Sequence, residues 1–330
     1  MATSAIEAEI LEQGRRIDPV LEELLPAGGP GLLGEMVWYH LRGGGKRIRP
    51  ALCLMTCEAL GGDSERALHF AAGVELLHGM FLLHDDVMDG DEFRHDQPTV
   101  WKKYGVANAI NTGDFMLAGA LRAVMRSPVD SSVRARLVQT FLATYERTIE
   151  GQELDINARS NPAFSVSDYL RMAELKTGHY LVIGMVGGAV ITGAQDSTVQ
   201  CLHRLGRSMG PAFQIRDDMI DLTAGKGRGG VKGSDIREGK ASILYAHALA
   251  HASPDDRERL LDIMRKPRSG KSDEDVNWVS ALYERCGSPG FAGEKADELI
   301  RRALAELEAL PAAEREALDG VVRYMVERSY

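Results

Sequence analysis

Twice in this chain an apolar run with helical spacing ends in stacked carboxylates. Phe81-Leu82-Leu83-His84-Asp85-Asp86-Val87-Met88-Asp89 runs on to Arg94 and Pro98-Thr99, and the pattern returns at Asp217-Asp218-Met219-Ile220-Asp221. Residues four apart on a helix project from one face, a turn apart, so Asp85 stacks with Asp89 and Asp217 with Asp221. Like charges held that way repel and gain nothing for stability. A chain that builds such a face twice must be helical at both places, and must bring a basic side chain or a metal ion to each.

Helical periodicity continues through nearly every other segment, and no segment shows strand alternation flanked by turns. The spacing predicts helices over 4–25, 31–42, 47–60, 64–89, 106–126, 130–158, 166–192, 195–223, 236–252, 255–265, 273–285, 290–309 and 312–328. Breakers such as Pro26-Ala27-Gly28-Gly29-Pro30 and Gly61-Gly62-Asp63-Ser64 separate them, and Ser64, Ser167 and Ser253 stand where N-caps are needed. No linker, low-complexity tract or short repeat divides the chain. The expectation is one all-α domain over 1–330, long enough to bury a large core.

The formal charge is −9, from 39 basic and 48 acidic residues, which argues against a nucleic-acid or anionic-membrane surface. Cys53 and Cys57 share a helix face without the further Cys or His that zinc needs; with Cys201 and Cys286 they read as buried reduced thiols. The N-terminal stretch is an amphipathic charged helix without a signal-peptide apolar core, and no apolar run reaches the length of a membrane span. A cytoplasmic protein with no integral membrane segment is expected.

Basic residues stand at several places where an anion is called for. Gly43-Gly44-Gly45-Lys46-Arg47-Ile48-Arg49-Pro50 exposes backbone, then sends Lys46 and Arg49 into a helix one turn apart. Bases at a helix N-terminus oppose its dipole and call for an anion, so this reads as a phosphate clamp. His78 lies two turns before Asp85 on nearly the same face. Lys176-Thr177-Gly178 sits inside an apolar helix, where an ammonium group is costly without an anionic partner. Gly151 is interior to a helix, which calls for close packing or ligand approach. The Gly225–Gly233 loop contains a formal Gly-x-Gly-x-x-Gly, but it follows a helix with no βαβ unit around it. A basic loop that folds over an anion fits better. Asp235 and Lys240 then flank the next helix start.

Two carboxylate triplets with scattered Lys and Arg suit hard cations held by oxygen alone. Mg²⁺ is the natural occupant, since it keeps waters and bridges to substrate phosphates. The bases would meet phosphate oxygens beyond the metal, which suits a diphosphate leaving group.

Taken in order, the motifs resemble those of the trans-isoprenyl diphosphate synthases of the polyprenyl synthetase family. They are Gly44-Gly45-Lys46 with Arg49-Pro50, Glu75 with His78, Asp85-Asp86-Val87-Met88-Asp89 with Arg94, Gly113-Asp114, Gly151-Gln152 with Asp155, Lys176-Thr177, Phe213-Gln214 with Asp217-Asp218 and Asp221, and Gly239-Lys240. The resemblance implies the isoprenoid synthase fold, a helical bundle with a central cavity between helices carrying the two aspartate motifs, as a homodimer. It implies three Mg²⁺ ions bridging an allylic diphosphate (dimethylallyl, geranyl or farnesyl) to Asp85 and Asp89 on one side and Asp217 on the other, with Asp86 and Asp221 as further metal candidates. Arg94, Lys176 and Lys240 would stabilise the departing diphosphate, while Lys46, Arg49, His78 and His95 would bind isopentenyl diphosphate. Thr177 and Gln214 would help hold the allylic cation, and the proton would leave to the released diphosphate.

This chain departs from the family in two places. Arg94-His95-Asp96 stands where Arg-Arg-Gly is usual, so His95 replaces a fixed charge with a weaker phosphate ligand. The usual loop lysine four or five residues before Asp235 is absent, leaving Lys226 or Lys232 to substitute. Bulk before the first aspartate sets product length in the family. Phe81, with Met80 before it, implies a floor of intermediate depth, with C20 product ahead of C15. Phe115 and Met116 on the next helix would modify that floor. A class I terpene cyclase would not need Lys46, Arg49 and His78, and typically carries Asn, Ser and Glu in its second motif. A non-catalytic subunit of a heteromeric synthase usually loses the aspartates, all of which are present here.

Overall fold

The structure is a computed structural model and describes residues 2–28, 31–159, 161–222 and 233–327. In chain order its helices are α1 (Ala2–Arg15), α2 (Asp18–Leu24), α3 (Leu33–Arg42), α4 (Ile48–Ala59), α5 (Leu68–Asp89), α6 (Val100–Tyr104), α7 (Val106–Met125), α8 (Ser131–Ala158), α9 (Val166–Ala173), α10 (His179–Leu181), α11 (Ile183–Thr192), α12 (Asp196–Asp221), α13 (Ser234–Glu238), α14 (Ile243–His251), α15 (Pro254–Arg265), α16 (Asp273–Arg285), α17 (Ser288–Glu308) and α18 (Ala312–Glu327). Among the described residues the strands are β1 (Phe93–Arg94) and β2 (Gln97–Pro98), one short antiparallel hairpin. The expected all-α class is observed.

Several predicted helices are divided, each for a local reason. The stretch 4–25 is two helices, since Pro19 opens α2 in its first turn. The stretch 166–192 passes through a π-helical turn, Glu174–Gly178, before α10 and α11. The stretch 236–252 breaks where Gly239 takes φ 84° and ends α13. Ser253 caps α15 as predicted, but Asp63 caps the turn before α5 in place of Ser64. Ser165, not Ser167, caps α9, exchanging hydrogen bonds with Asp168 in a capping box.

Backbone contacts group the chain into two compact units. One comprises Met1–Ala143, Val182–Leu202 and Leu310–Tyr324; the other comprises Thr144–Leu181, His203–Ala309 and Met325–Tyr330.

In the first unit α5 is the core helix. Phe70, Leu76 and Leu77 are fully buried on it, as are Ala71, Ala72 and Val74. Each large side chain contributes roughly 1.5–3 kcal/mol by leaving water. This corrects the reading that no apolar run is long enough to span a membrane. The stretch Ser64–Asp89 is long and apolar enough, yet 67% of its 18-residue apolar window is buried inside the protein. Core packing against α4, α7 and α11 accounts for its composition. Helix α11 crosses α4 closely: a Cβ on Gly184 would strike the Arg49 carbonyl, and one on Gly188 the Cys53 carbonyl. Four residues apart, these two glycines let the helix backbones touch. That contact fixes the start of α4, where Arg49 lies.

In the second unit, fully or nearly buried Tyr169, Tyr245, Ile215 and Leu244 form the core, with α14 packed on α9, α16 and α17. The π-helical turn is clasped by glycines. A Cβ on Gly151 of α8 would overlap the Lys176 backbone, and one on Gly210 of α12 would overlap Gly178. This is the close packing that the mid-helix Gly151 called for.

Candidate active site

Helix α5 ends in carboxylates, the sign its dipole disfavours at that end. It stops at Gly90, in the left-handed region at φ 68°. The chain then returns as the β1–β2 hairpin, paired Arg94 to Gln97, with His95 (φ 48°) and Asp96 (φ 63°) forming a two-residue turn. Two successive positive φ values match the twist of a tight hairpin. This turn aims Arg94 back at the helix end. Its Nε and Nη2 donate to Asp86 Oδ1 at 2.9 and 2.6 Å, and Asp86 is 1% exposed. Asp86 is thus engaged by Arg94, while Asp85 and Asp89 are half-buried one turn apart.

The hairpin also leans on the glycine loop between α3 and α4. His95 Nδ1 lies 3.0 Å from the position a Gly44 Cβ would take, and the Gln97 amide fills the place of a Cβ on Gly43. Tyr39 Oη donates to the Pro98 carbonyl at 2.7 Å. His40 sits beneath; burial, with the charges of Arg94 and His95, brings it down to about 3, so it is neutral.

The expected clamp residues are distributed more widely than the sequence reading had them. Lys46 does not enter α4; it is exposed in the loop, 3.4 Å from Glu7 of α1. Arg47 takes the N-cap position at φ 47° and pairs with Asp18 at 2.8 Å. Arg49 lies in the first turn, with Nη1 3.4 Å from His78 Nε2. Burial, then Arg49, lowers His78 well below the ordinary imidazole range, leaving a neutral ring able to accept from the guanidinium. Burial pushes the Glu75 carboxyl up, against the pull of Arg47 and Arg49.

Of the chain-length candidates, Met80 is 2% exposed and belongs to the core, whereas Phe81 is half-buried. Met116 is fully buried against Gly79, and Phe115 is half-buried. Gly113, inside α7, makes room for the His84 ring, so the Gly113-Asp114 motif makes a tight helix contact.

In the second unit α12 ends in the other triplet. Asp217 is exposed, while Asp218 and Asp221 are 1% and 6% exposed. Asp218 Oδ1 accepts from Lys240 at 2.8 Å and from Gln214 at 3.1 Å; its Oδ2 accepts from Tyr169 at 2.6 Å and from the Ile243 amide at 3.4 Å. Lys240 also reaches Asp235 at 3.1 Å, and Asp221 Oδ2 receives the Asp235 amide at 3.0 Å. Lys176 finds its anionic partner in Asp155, at 2.5 Å. Burial opposes ionisation of Asp155, yet Lys176 and Lys240 hold its carboxyl below the usual range. Thr177 is buried in the π-helical turn. Such turns inside helices are frequent at functional sites.

Arg49 and His78 are brought together, as are Arg94 and Asp86, and Lys240, Gln214 and Asp218. Lys226 and Lys232 lie outside the described residues. Sequence reasoning missed Tyr169, whose one legible signal is its place two turns before Lys176 on the same helical run. It also missed His40, Gln97 and Glu7, which carry no motif.

Among the described residues no three His, Cys, Asp or Glu side chains converge to hold a metal by themselves. Mg²⁺ does not require such a cage, since it takes one or two carboxylates and completes its shell with water and substrate phosphate. Asp85 with Asp89, and the exposed Asp217, are oxygen donors of that kind, so the residues present fit the ion.

The family model described as polyprenyl synthetase matches residues 30–283, well over half the chain. A short chain isoprenyl diphosphate synthase of Methanothermobacter thermautotrophicus is 35% identical, with 88% of this chain and 89% of that one covered. A geranylfarnesyl diphosphate synthase of Natronomonas pharaonis is 31% identical over 98% of each. Among solved structures, a geranylgeranyl pyrophosphate synthetase from Pyrococcus horikoshii superposes with a TM-score of 0.88 at 34% identity, covering 98% of each chain. These likenesses run through both aspartate motifs and both units, and the chain therefore belongs to the polyprenyl synthetase family, with its all-α isoprenoid synthase fold.

Proposed function

We propose that this prenyltransferase adds isopentenyl diphosphate head-to-tail to an allylic diphosphate, giving a short-chain all-trans prenyl diphosphate with C20 as the main product. The observation that carries this reading is the family match, which runs through both aspartate motifs. Arg94 pairs with Asp86 in a part-buried contact, and Lys240 pairs with Asp218 in a buried one. Asp85, Asp89 and Asp217 are the carboxylates we assign to Mg²⁺. Relatives named as geranylgeranyl and geranylfarnesyl diphosphate synthases support the product class.

Bound Mg²⁺ would supply Lewis-acid shielding of the diphosphate charge, three ions being the family's number. Lys176, Lys240 and Arg94 add positive charge where the leaving group develops its own. The allylic C–O bond breaks heterolytically, and diphosphate departs with the electron pair. Arg49, His78, Lys46 and His95 hold isopentenyl diphosphate so that its double bond attacks the allylic carbon. A C–C bond forms, and the proton lost from the resulting cation passes to the released diphosphate. Thr177 and Gln214 border the cation. His78, kept neutral, binds as a hydrogen-bonding group and not as a charge.

We assign the whole chain to one functional domain, since the family match runs across both units. A second copy of the chain is the proposed partner. Leu142, Ile149 and Ile156 are each at least 40% exposed and recur every seven residues along α8, a stripe suited to another helix. The four cysteines are free, consistent with the cytoplasm. Neither the terpene cyclase nor the regulatory-subunit reading draws support from the relatives.

The test is incubation with Mg²⁺, isopentenyl diphosphate and each of the dimethylallyl, geranyl and farnesyl primers, followed by sizing of the products. Elongation to C20 supports the reading, and absence of elongation with every primer overturns it.

A further inference from the structure

Asp218 is the most heavily committed side chain in the second motif. It is 1% exposed, and its two oxygens accept four hydrogen bonds, close to what a carboxylate can take. Three of the donors are local to α12 or to the segment running from Lys240 into α14. The fourth, the Tyr169 phenol, comes from α9. Tyr169 is fully buried, and its 2.6 Å bond is the shortest of the four. Helix α9 runs directly into the π-helical turn that carries Lys176 and Thr177. One hydroxyl therefore joins the lysine–threonine turn to the second aspartate motif.

We propose that Tyr169 is a positioning residue for the allylic diphosphate. Through Asp218 it keeps Lys240 and the adjacent Asp217 in register with Lys176. It touches no substrate, and the role rests on the prenyl-transfer reading given above. Its aromatic ring fills core volume that phenylalanine would fill equally, so its hydroxyl is separable from its packing. Without that hydroxyl, Asp218 Oδ2 retains only the long Ile243 contact in a site closed to water. The carboxylate then turns toward Lys240, taking that ammonium group from the diphosphate.

The experiment compares wild type with Tyr169→Phe, using Tyr245→Phe as the packing control. Tyr245 is 2% exposed in the same unit and stacks on Phe164. Calorimetric binding of inorganic diphosphate at fixed Mg²⁺ is read together with the KM values for the allylic primer and for isopentenyl diphosphate. A lost hydrogen bond to a charged group corresponds to roughly tenfold or more in affinity. Tyr169→Phe is expected to weaken diphosphate binding and raise the allylic KM by about that factor. The isopentenyl KM and the melting temperature are expected to match those of Tyr245→Phe.

Unchanged diphosphate affinity in an active Tyr169→Phe enzyme overturns the proposal alone. So does an equal loss at both substrates accompanied by lower melting, which is the mark of a general packing defect. If wild type neither elongates a primer nor binds diphosphate, the functional reading falls first and the proposal with it.

Discussion

Arg94 grips Asp86 through a single oxygen, with Nε and Nη2 both converging on Oδ1 at 2.9 and 2.6 Å. That contact joins the end of the central helix to a hairpin that in turn rests on the glycine loop ahead of Arg49. The carboxylates proposed to hold the metal-bearing substrate and the loop proposed to hold the other substrate are thereby braced by one arginine. Breaking the pair strands a buried carboxylate, which typically costs about 3–5 kcal/mol. Arg94 is partly solvated (its side chain is 29% exposed), so the lower end applies. Arg94→Met should destabilise the protein by about 3 kcal/mol in urea unfolding. Adding Asp86→Leu should recover most of that stability and none of the activity. A double variant no more stable than the single one contradicts the pairing as the source of the loss.

Gly184 presses against the Arg49 carbonyl. Gly184→Ala forces α11 away from α4, an overpacking strain of roughly 1–3 kcal/mol. It should lower the melting temperature and raise the KM for isopentenyl diphosphate more than that for the allylic primer. Gly193→Ala, at the left-handed C-cap of the same helix, should destabilise without shifting that ratio.

Phe81 and Met80 are adjacent on α5 yet occupy different environments, one half-buried and the other 2% exposed. Phe81→Ala should lengthen the product beyond that of wild type. Met80→Ala should leave product length unchanged while costing about 2–5 kcal/mol of stability through the cavity it creates. Chromatograms that fail to shift for Phe81→Ala contradict the ruler assignment.

Burial lowers His40 to about 3, helped by Arg94 and His95, and lowers His179 to about 4, helped by Arg147 and His203. Unfolded imidazoles bind a proton near pH 6.5. Between those limits the unfolded chain takes up protons that the folded one refuses. The stability these residues contribute is therefore present above about pH 6.5 and lost as pH falls toward 4 and then 3. The urea midpoint should drop between pH 7 and pH 5, and His40→Gln should flatten that drop. Parallel pH profiles for wild type and variant contradict the assignment.

The helices and both aspartate faces were legible because a repeat of three to four residues persists over long runs. The hairpin was not: strands of two residues are too short for any alternation to register, and its turn uses His95 and Asp96 where glycine is the usual signal. The π-helical turn was hidden for a related reason, since Lys176 and Thr177 keep a helical pattern while the backbone inserts an extra residue. Partners distant in sequence were also invisible. Lys176 announced its need for an anion, but Asp155 as the answer depends on how α8 crosses the turn at Gly151. Lys46 read as a helical residue because Arg47, not a small polar residue, takes the N-cap position.

The central claim is tested most directly by counting diphosphate released against isopentenyl diphosphate consumed, with farnesyl diphosphate as primer and Mg²⁺ present. The account predicts one for one, with a C20 prenyl diphosphate as the accumulating product and no turnover in Asp85→Asn or Asp217→Asn. Release of diphosphate without consumption of isopentenyl diphosphate would make the protein a cyclase, and no release with any primer would contradict prenyl transfer altogether.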